Sequence, residues 1–246
     1  MRNYNTLSVP IPAGTGLRML SVLLGAILLV GSSLHAMEAE MTDNGSKTTR
    51  HIVLLGASIG EKWDLSGVPE RTGTRGFVFE YVGNYSPDKS ELLAGILSRE
   101  EGRPDAVIIK QCSAYFPGNE KKLKPMIKDW VADCHEAGVV PALATVVPVV
   151  WSFPLRIFIY NLVKGKWGWP KGTIEAVTAF NDWIREYAAQ EGLVVVDLEA
   201  AVRTSDTDRH LNGRYATRDG MHLNAKAYRQ LDSKIVQAVS KIEFAD

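Results

Sequence analysis

Short apolar runs recur along the chain at residues 51–55, 77–82, 105–109, 139–147 and 193–197. They are continuous and rich in Val and Ile, which suits strands buried on both faces of a parallel sheet better than the alternation of a half-solvated one. Between them the period changes. Leu123, Ile127, Val131 and Cys134 recur at spacings of four, four and three, and Gly138 follows where a helix would stop. Val177, Phe180, Ile184 and Tyr187 do the same ahead of Gly192. A last helix is predicted from Asn224, a good N-cap, with Ala225, Tyr228, Leu231, Ile235 and Val239 on one face. Strands alternating with helices of this length predict an α/β domain, a three-layer α/β/α sandwich around a central five-stranded parallel sheet.

Three stretches fall outside this alternation. Residues 1–36 carry only Arg2 and Arg18 as charges, an apolar run from Leu20 to Val30, and a small-residue end at Gly31-Ser32-Ser33-Leu34-His35-Ala36. That layout reads as a signal peptide or an N-terminal anchor, and it implies export to a periplasmic or secreted location. Residues 37–50 are polar and aperiodic, as a linker is, leaving 51–246 as the folded domain. Residues 148–172 hold Trp151, Phe153, Phe158, Tyr160, Trp167 and Trp169 with Arg156, Lys164, Lys166 and Lys171, and no acid. Such an insertion fits a lid, a substrate flap, a membrane-surface contact or an extra amphipathic helix packed on the domain.

Composition adds two limits. Of the 246 residues, 46% are hydrophobic and 23% charged, enough for one full core. Without residues 1–36 the chain has 26 basic and 28 acidic groups, so nothing points to nucleic acid as a partner. Cys112 follows a strand while Cys134 lies far along the returning helix, so the expectation is two free, buried thiols rather than a disulfide.

The candidate chemistry begins at Gly56-Ala57-Ser58-Ile59-Gly60, where the first apolar run ends in a tight turn. A strand that stops there exposes the next polar side chain, Ser58, at the carboxyl edge of the sheet, where α/β proteins place ligands. A serine hydroxyl is a weak nucleophile without a base that is itself oriented. His51 starts the first strand and His135 sits beside Cys134, whereas His210 and His222 lie in a late loop region able to return to the edge. Asp219 precedes His222 by three residues across Gly220, so one turn can supply both base and orienting carboxylate.

Gly56-Ala57-Ser58-Ile59 resembles the Gly-Asp-Ser-Leu motif of the GDSL, or SGNH, hydrolases, and Asp219-Gly220-Met221-His222-Leu223-Asn224 resembles that family's closing Asp-x-x-His block. The resemblance spans residues 51 to about 241. It implies a flavodoxin-like sheet and a serine esterase with Ser58, His222 and Asp219 as its triad, needing no metal or organic cofactor. It also implies an oxyanion hole from the amides of Ser58 and Gly83 and an asparagine side chain. After the third strand this chain departs from the family's Gly-x-Asn-Asp and reads Lys110-Gln111-Cys112-Ser113, which makes Gln111 the candidate donor, with Ser113 and Asn119 as second choices. Ala57 also replaces the family's aspartate. The implied reaction is hydrolysis of a small-molecule or glycan carboxylic ester through an acyl-enzyme, on an envelope or polysaccharide substrate.

Rival readings carry weaker signals. Gly56-x-Ser58-x-Gly60 also spells the α/β-hydrolase nucleophile elbow, but that fold places several strands before its serine. A phosphate loop would need Gly-x-x-x-x-Gly-Lys-Ser/Thr, and Lys62 is misplaced for it. A catalytically weak or inactive carbohydrate- or envelope-binding protein on the same fold is the alternative from a different class.

Overall fold

The computed structural model describes residues 49–164 and 172–244. The signal or anchor segment 1–36, nearly all of the 37–50 linker, and Trp167, Trp169, Lys166 and Lys171 lie outside the described residues.

In chain order the elements are β1 (Arg50–Gly56), α1 (Ser58–Glu61), α2 (Val68–Thr72), β2 (Phe77–Gly83), α3 (Ser90–Leu97), β3 (Ala106–Lys110), α4 (Glu120–Glu136), β4 (Val140–Ala144), α5 (Phe153–Val163), α6 (Thr173–Glu191), β5 (Val194–Val196), α7 (Leu198–Val202) and α8 (Ala225–Val239). All five strands are parallel, in the order β2-β1-β3-β4-β5. That order reverses at β1, so the carboxyl ends of β1 and its neighbours open the crevice that doubly wound sheets use for ligands.

Strand pleating divides the core between the two faces. Ile52, Leu54, Ala106, Ile108, Ala142 and Ala144 point to one side, against Trp63 and the Leu231 and Ile235 face of α8. Val53, Leu55, Val107, Ile109 and Leu143 point to the other, against Leu93, Leu123, Ile127, Val177 and Phe180. The apolar stripes of α4 and α6 are buried as their spacing requires. Cys112 and Cys134 are free and buried, and burial pushes the Cys134 thiol up to about 12.

Of the differences from the sequence expectations, three have a visible cause. The first strand begins at Arg50, inside the expected linker, because its amide bonds the Gly76 carbonyl and its guanidinium pairs with Asp105 at 3.0 Å. The apolar run 139–147 contributes only Val140–Ala144 to the sheet, since β5 pairs with just Ala142–Ala144. Beyond it Val146 and Val147 stay buried, with the Val146 backbone held by both amide atoms of Asn181 instead of a strand. On α8 the inward residue of the first turn is Ala227, and Ala225 is exposed. Stepping by four from Ala227 reaches Leu231 and Ile235, so the inward stripe runs through that row.

One polar tie closes the α8 side. Asp232, 2% exposed, accepts from the Trp63 indole at 2.7 Å and from Arg71 at 2.8 and 3.0 Å, fastening α2 and the segment after α1 to α8. Removing this acceptor leaves the buried Trp63 indole N–H without its partner and the Arg71 guanidinium with Asp64 alone. Asp232→Ala is expected to cost about 3 kcal/mol in urea unfolding, and a loss below about 1 kcal/mol would contradict the assignment.

Candidate active site

Ser58 is the first residue of α1, directly after β1, and it is 6% exposed. The turn that presents it tolerates no bulk. A Cβ at Gly60 would stand 2.7 Å from the Tyr81 ring, and one at Gly83 would collide with the Gly56 carbonyl and the Tyr81 hydroxyl. Gly56 and Gly83 are register partners at the ends of β1 and β2, so the serine turn and the loop after β2 leave the sheet side by side.

The second half of the site is one loop. Asp219 Oδ1 accepts from Thr217 Oγ1, Met221 N and His222 N, each at 2.9 Å, and Oδ2 lies 2.6 Å from His222 Nδ1. Gly220 at the bend has φ 78°, the left-handed region that glycine adopts without strain. Partial burial works against the Asp219 charge, but the hydrogen bonds from His222, Met221 and Thr217 outweigh it and hold the carboxyl well below the usual range. An ionised carboxylate only accepts, so His222 Nδ1 carries a proton, and in the neutral imidazole that leaves the lone pair on Nε2. That Nε2 lies 3.2 Å from Ser58 Oγ.

Ser58, His222 and Asp219 therefore form one continuous chain. The other described histidines do not join it. His51 pairs with Glu80 at 2.9 Å, His135 is exposed near the end of α4, and His210 pairs with Asp208 at 2.8 Å.

The stretch after β3 is built differently from the sequence expectation. Gln111 is 1% exposed, its Nε2 lies 3.5 Å from the Pro87 carbonyl, and its Oε1 has no partner. Its amide is thus turned to the loop after β2. Asn119 donates to the Tyr115 carbonyl at 2.6 Å, so that second-choice amide is also engaged, and Ser113 begins a short turn of 3-10 helix. Gly83, by contrast, stands at the end of β2 against the carbonyl of Gly56, two residues before Ser58.

Residues that the sequence reading did not single out pack beside the serine turn. Lys110, the last residue of β3, is fully buried with its stem beside Gly56, and its ammonium donates to the Gln111 carbonyl at 3.0 Å. Burial holds the Lys110 amine below its ordinary value. Lys89, also buried, donates to Ser86 O at 2.6 Å and to Asn84 O at 3.2 Å, which folds the loop after Gly83 around it. Burial, with a smaller contribution from Lys110, pushes Lys89 down to about 8. Tyr81 lies against Gly56 and Gly60, and burial raises its hydroxyl to about 12. Glu61, on α1, accepts from Tyr85. The available signal was a lysine closing an otherwise apolar buried strand, a position that lysine seldom occupies without a reason.

No protein-family model matches the chain, and no curated protein matches it. Solved structures do. A GDSL-like lipase from Bacteroides thetaiotaomicron is 20% identical, with a TM-score of 0.58 over 85% of this chain and 96% of that one. An acetylxylan esterase from Geobacillus stearothermophilus, in a catalytic-mutant form, is 11% identical with a TM-score of 0.54 over 81% and 97%. The psychrotrophic esterase EstA from Pseudoalteromonas sp. is 14% identical with a TM-score of 0.51 over 78% and 97%. The chain has the fold of the GDSL/SGNH hydrolases.

The buried lysine gives a signed pH test. Because the folded value of Lys110 lies below its unfolded value of about 10.4, the unfolded chain binds more protons between the two, and the stability penalty of burial fades as pH rises through that window. Lys110→Met keeps the volume and removes the charge. It is expected to stabilise by about 1–3 kcal/mol at pH 7, with the gain over wild type shrinking towards pH 10 in denaturant titrations. A gain independent of pH would contradict this.

Proposed function

We propose that the protein is an exported serine hydrolase that cleaves carboxylic esters through an acyl-enzyme. The observation that carries the reading is the unbroken chain from Ser58 Oγ to His222 Nε2 at 3.2 Å and from His222 Nδ1 to Asp219 Oδ2 at 2.6 Å. It stands on a fold shared with a GDSL-like lipase and an acetylxylan esterase.

In this reading Ser58 Oγ attacks the ester carbonyl carbon as its proton passes to His222 Nε2, and the imidazolium that forms is stabilised by Asp219. The carbonyl π electrons move onto oxygen, where the amides of Ser58 and Gly83 receive the negative charge. Collapse expels the alcohol, which takes the proton from Nε2 and leaves the acyl group on Ser58. Water then attacks the acyl carbon, gives its proton to Nε2, and the acid departs as Oγ is reprotonated. Gln111 becomes a third donor only by releasing Pro87. Loss of one oxyanion donor costs about 10²–10³ in rate, so a two-amide hole gives a slow enzyme rather than an inert one.

The substrate class that fits is an ester of an envelope component or an acetylated polysaccharide, in line with the export layout of residues 1–36 and the acetylxylan esterase among its structural relatives. An inactive glycan-binding protein on the same fold would not need an oriented base. Reaction with a fluorophosphonate separates the two, because only an activated Ser58 labels rapidly.

Ser58→Ala is expected to abolish both labelling and hydrolysis of p-nitrophenyl acetate while leaving the circular dichroism unchanged; surviving turnover would overturn the assignment. Asp219→Asn should lower kcat by about 10³–10⁴, since an amide can present the imidazole in the wrong tautomer. A loss smaller than tenfold would remove Asp219 from the mechanism.

A further inference from the structure

Six of the eight large hydrophobic residues exposed among the described residues fall between 151 and 163: Trp151, Leu155, Ile159, Tyr160, Leu162 and Val163. Helix α5 is apolar on two sides. Phe153 and Ile157 pack inward on the core, while Leu155, Ile159, Leu162 and Val163, at i, i+4, i+7 and i+8, form an outward stripe. Trp151 is 75% exposed and Val163 80%, far from the condition in which such side chains are stable in water. A contiguous exposed apolar stripe is normally covered, so this one calls for an occupant.

Its position ties it to the catalytic loop. Val150 N donates to Gly220 O at 3.0 Å, and the Val150 side chain and the Arg156 stem close over Gly220, where a Cβ would stand 2.6 Å from Val150 Cγ2. The Arg156 guanidinium donates to the Arg218 carbonyl, next to Asp219. The helix that carries the stripe is therefore tied to the Asp219–His222 loop through Arg156, and the segment that leads into it through Val150.

We propose that α5 docks on an anionic lipid surface and presents the catalytic loop to it. The chemistry of the stripe selects this occupant. Residues 145–173 contain no acid, and the described part bears Arg156 and Lys164, so the charge around the apolar stripe is complementary to anionic headgroups. Trp151 and Tyr160 are the ring types that settle where hydrocarbon meets headgroup. With 11 residues, α5 lies in the interface and cannot span it. A second copy of this chain would bring like charges together. Delivery of a surface-borne ester to Ser58 rests on the hydrolase reading; the docking itself does not.

The test therefore uses the exported form, residues 37–246 with Ser58→Ala, so that it reads binding without chemistry and without the apolar run 20–30. Vesicles of phosphatidylglycerol with dibrominated phosphatidylcholine are expected to quench tryptophan fluorescence, and Trp151→Phe should remove a measurable part of that quenching. Leu155→Ser, Ile159→Ser and Val163→Ser together should weaken vesicle binding at least about tenfold, because these side chains supply the inserted area. Because all three are exposed, the melting midpoint should stay at that of the parent. Binding should fall as salt is raised. Equal quenching by brominated phosphatidylcholine alone, no quenching, or undiminished binding of the triple variant would each overturn the proposal. So would a dimer that ignores vesicles and dissociates in the triple variant, which would assign the stripe to a second copy. If Ser58 proves inert towards esters while the vesicle result holds, the hydrolase reading fails and the docking stands.

Discussion

The site depends on one carboxylate doing two jobs. Asp219 accepts three hydrogen bonds from its own loop through Oδ1 and orients His222 through Oδ2. The bonds that fold the turn are the same ones that keep the carboxyl ionised against its partial burial. Orientation and charge are thus not independent properties. A change that loosened the turn would raise the Asp219 pKa and misdirect the imidazole in one step, which is why a loop rather than a rigid strand can hold a base in place.

The serine half is held by exclusion instead. Gly60 and Gly83 let β1, α1 and β2 meet around the Tyr81 ring, and among the described residues His222 is the side chain that holds the Ser58 hydroxyl. Beside this wall two lysines are buried with no carboxylate partner among the described residues, and they donate to carbonyl and amide oxygens, Lys89 also lying over the Tyr115 ring. Their burial costs stability, and Lys89 has a visible use, because its ammonium gathers the carbonyls of Asn84 and Ser86 and so shapes the loop that follows Gly83. A buried cation that gathers two backbone carbonyls of one loop ties that loop to a single point.

The parts of the fold that periodicity controls were legible from sequence. The five strands, the stripes of α4 and α6, and the Asn224 cap, which accepts from Lys226 and Ala227, follow from local chemistry. So did the Ser58, Asp219 and His222 constellation, because a strand-end serine and an Asp-x-x-His turn each have a local signature. Gln111 illustrates what was not legible. Its suitability as a donor depended on which way its amide turned, and that was decided by Pro87, 24 residues away in sequence. The ends of 139–147 were hidden for a similar reason: the run is apolar throughout, but the sheet stops where the short β5 stops, and Asn181 of α6 takes over the backbone of Val146. Apolar sequence reports burial; pairing is reported only by the neighbour.

The aromatic insertion shows how burial and exposure divide a single helix. Phe153 and Ile157 answer to the core, so the extra-helix reading of this stretch and the surface-contact reading are not alternatives. The inward side fixes α5 to the domain, and that anchorage is what allows the outward side to remain apolar without collapsing onto it. Arg156 then joins the two functions, since its stem covers Gly220 while its head group holds the Arg218 carbonyl. Any surface that seats the outward stripe presses on the same helix that braces the Asp219 turn. Under the docking proposal the seated surface and the base are joined through Arg156 and Val150, with no element of the sheet that carries Ser58 between them.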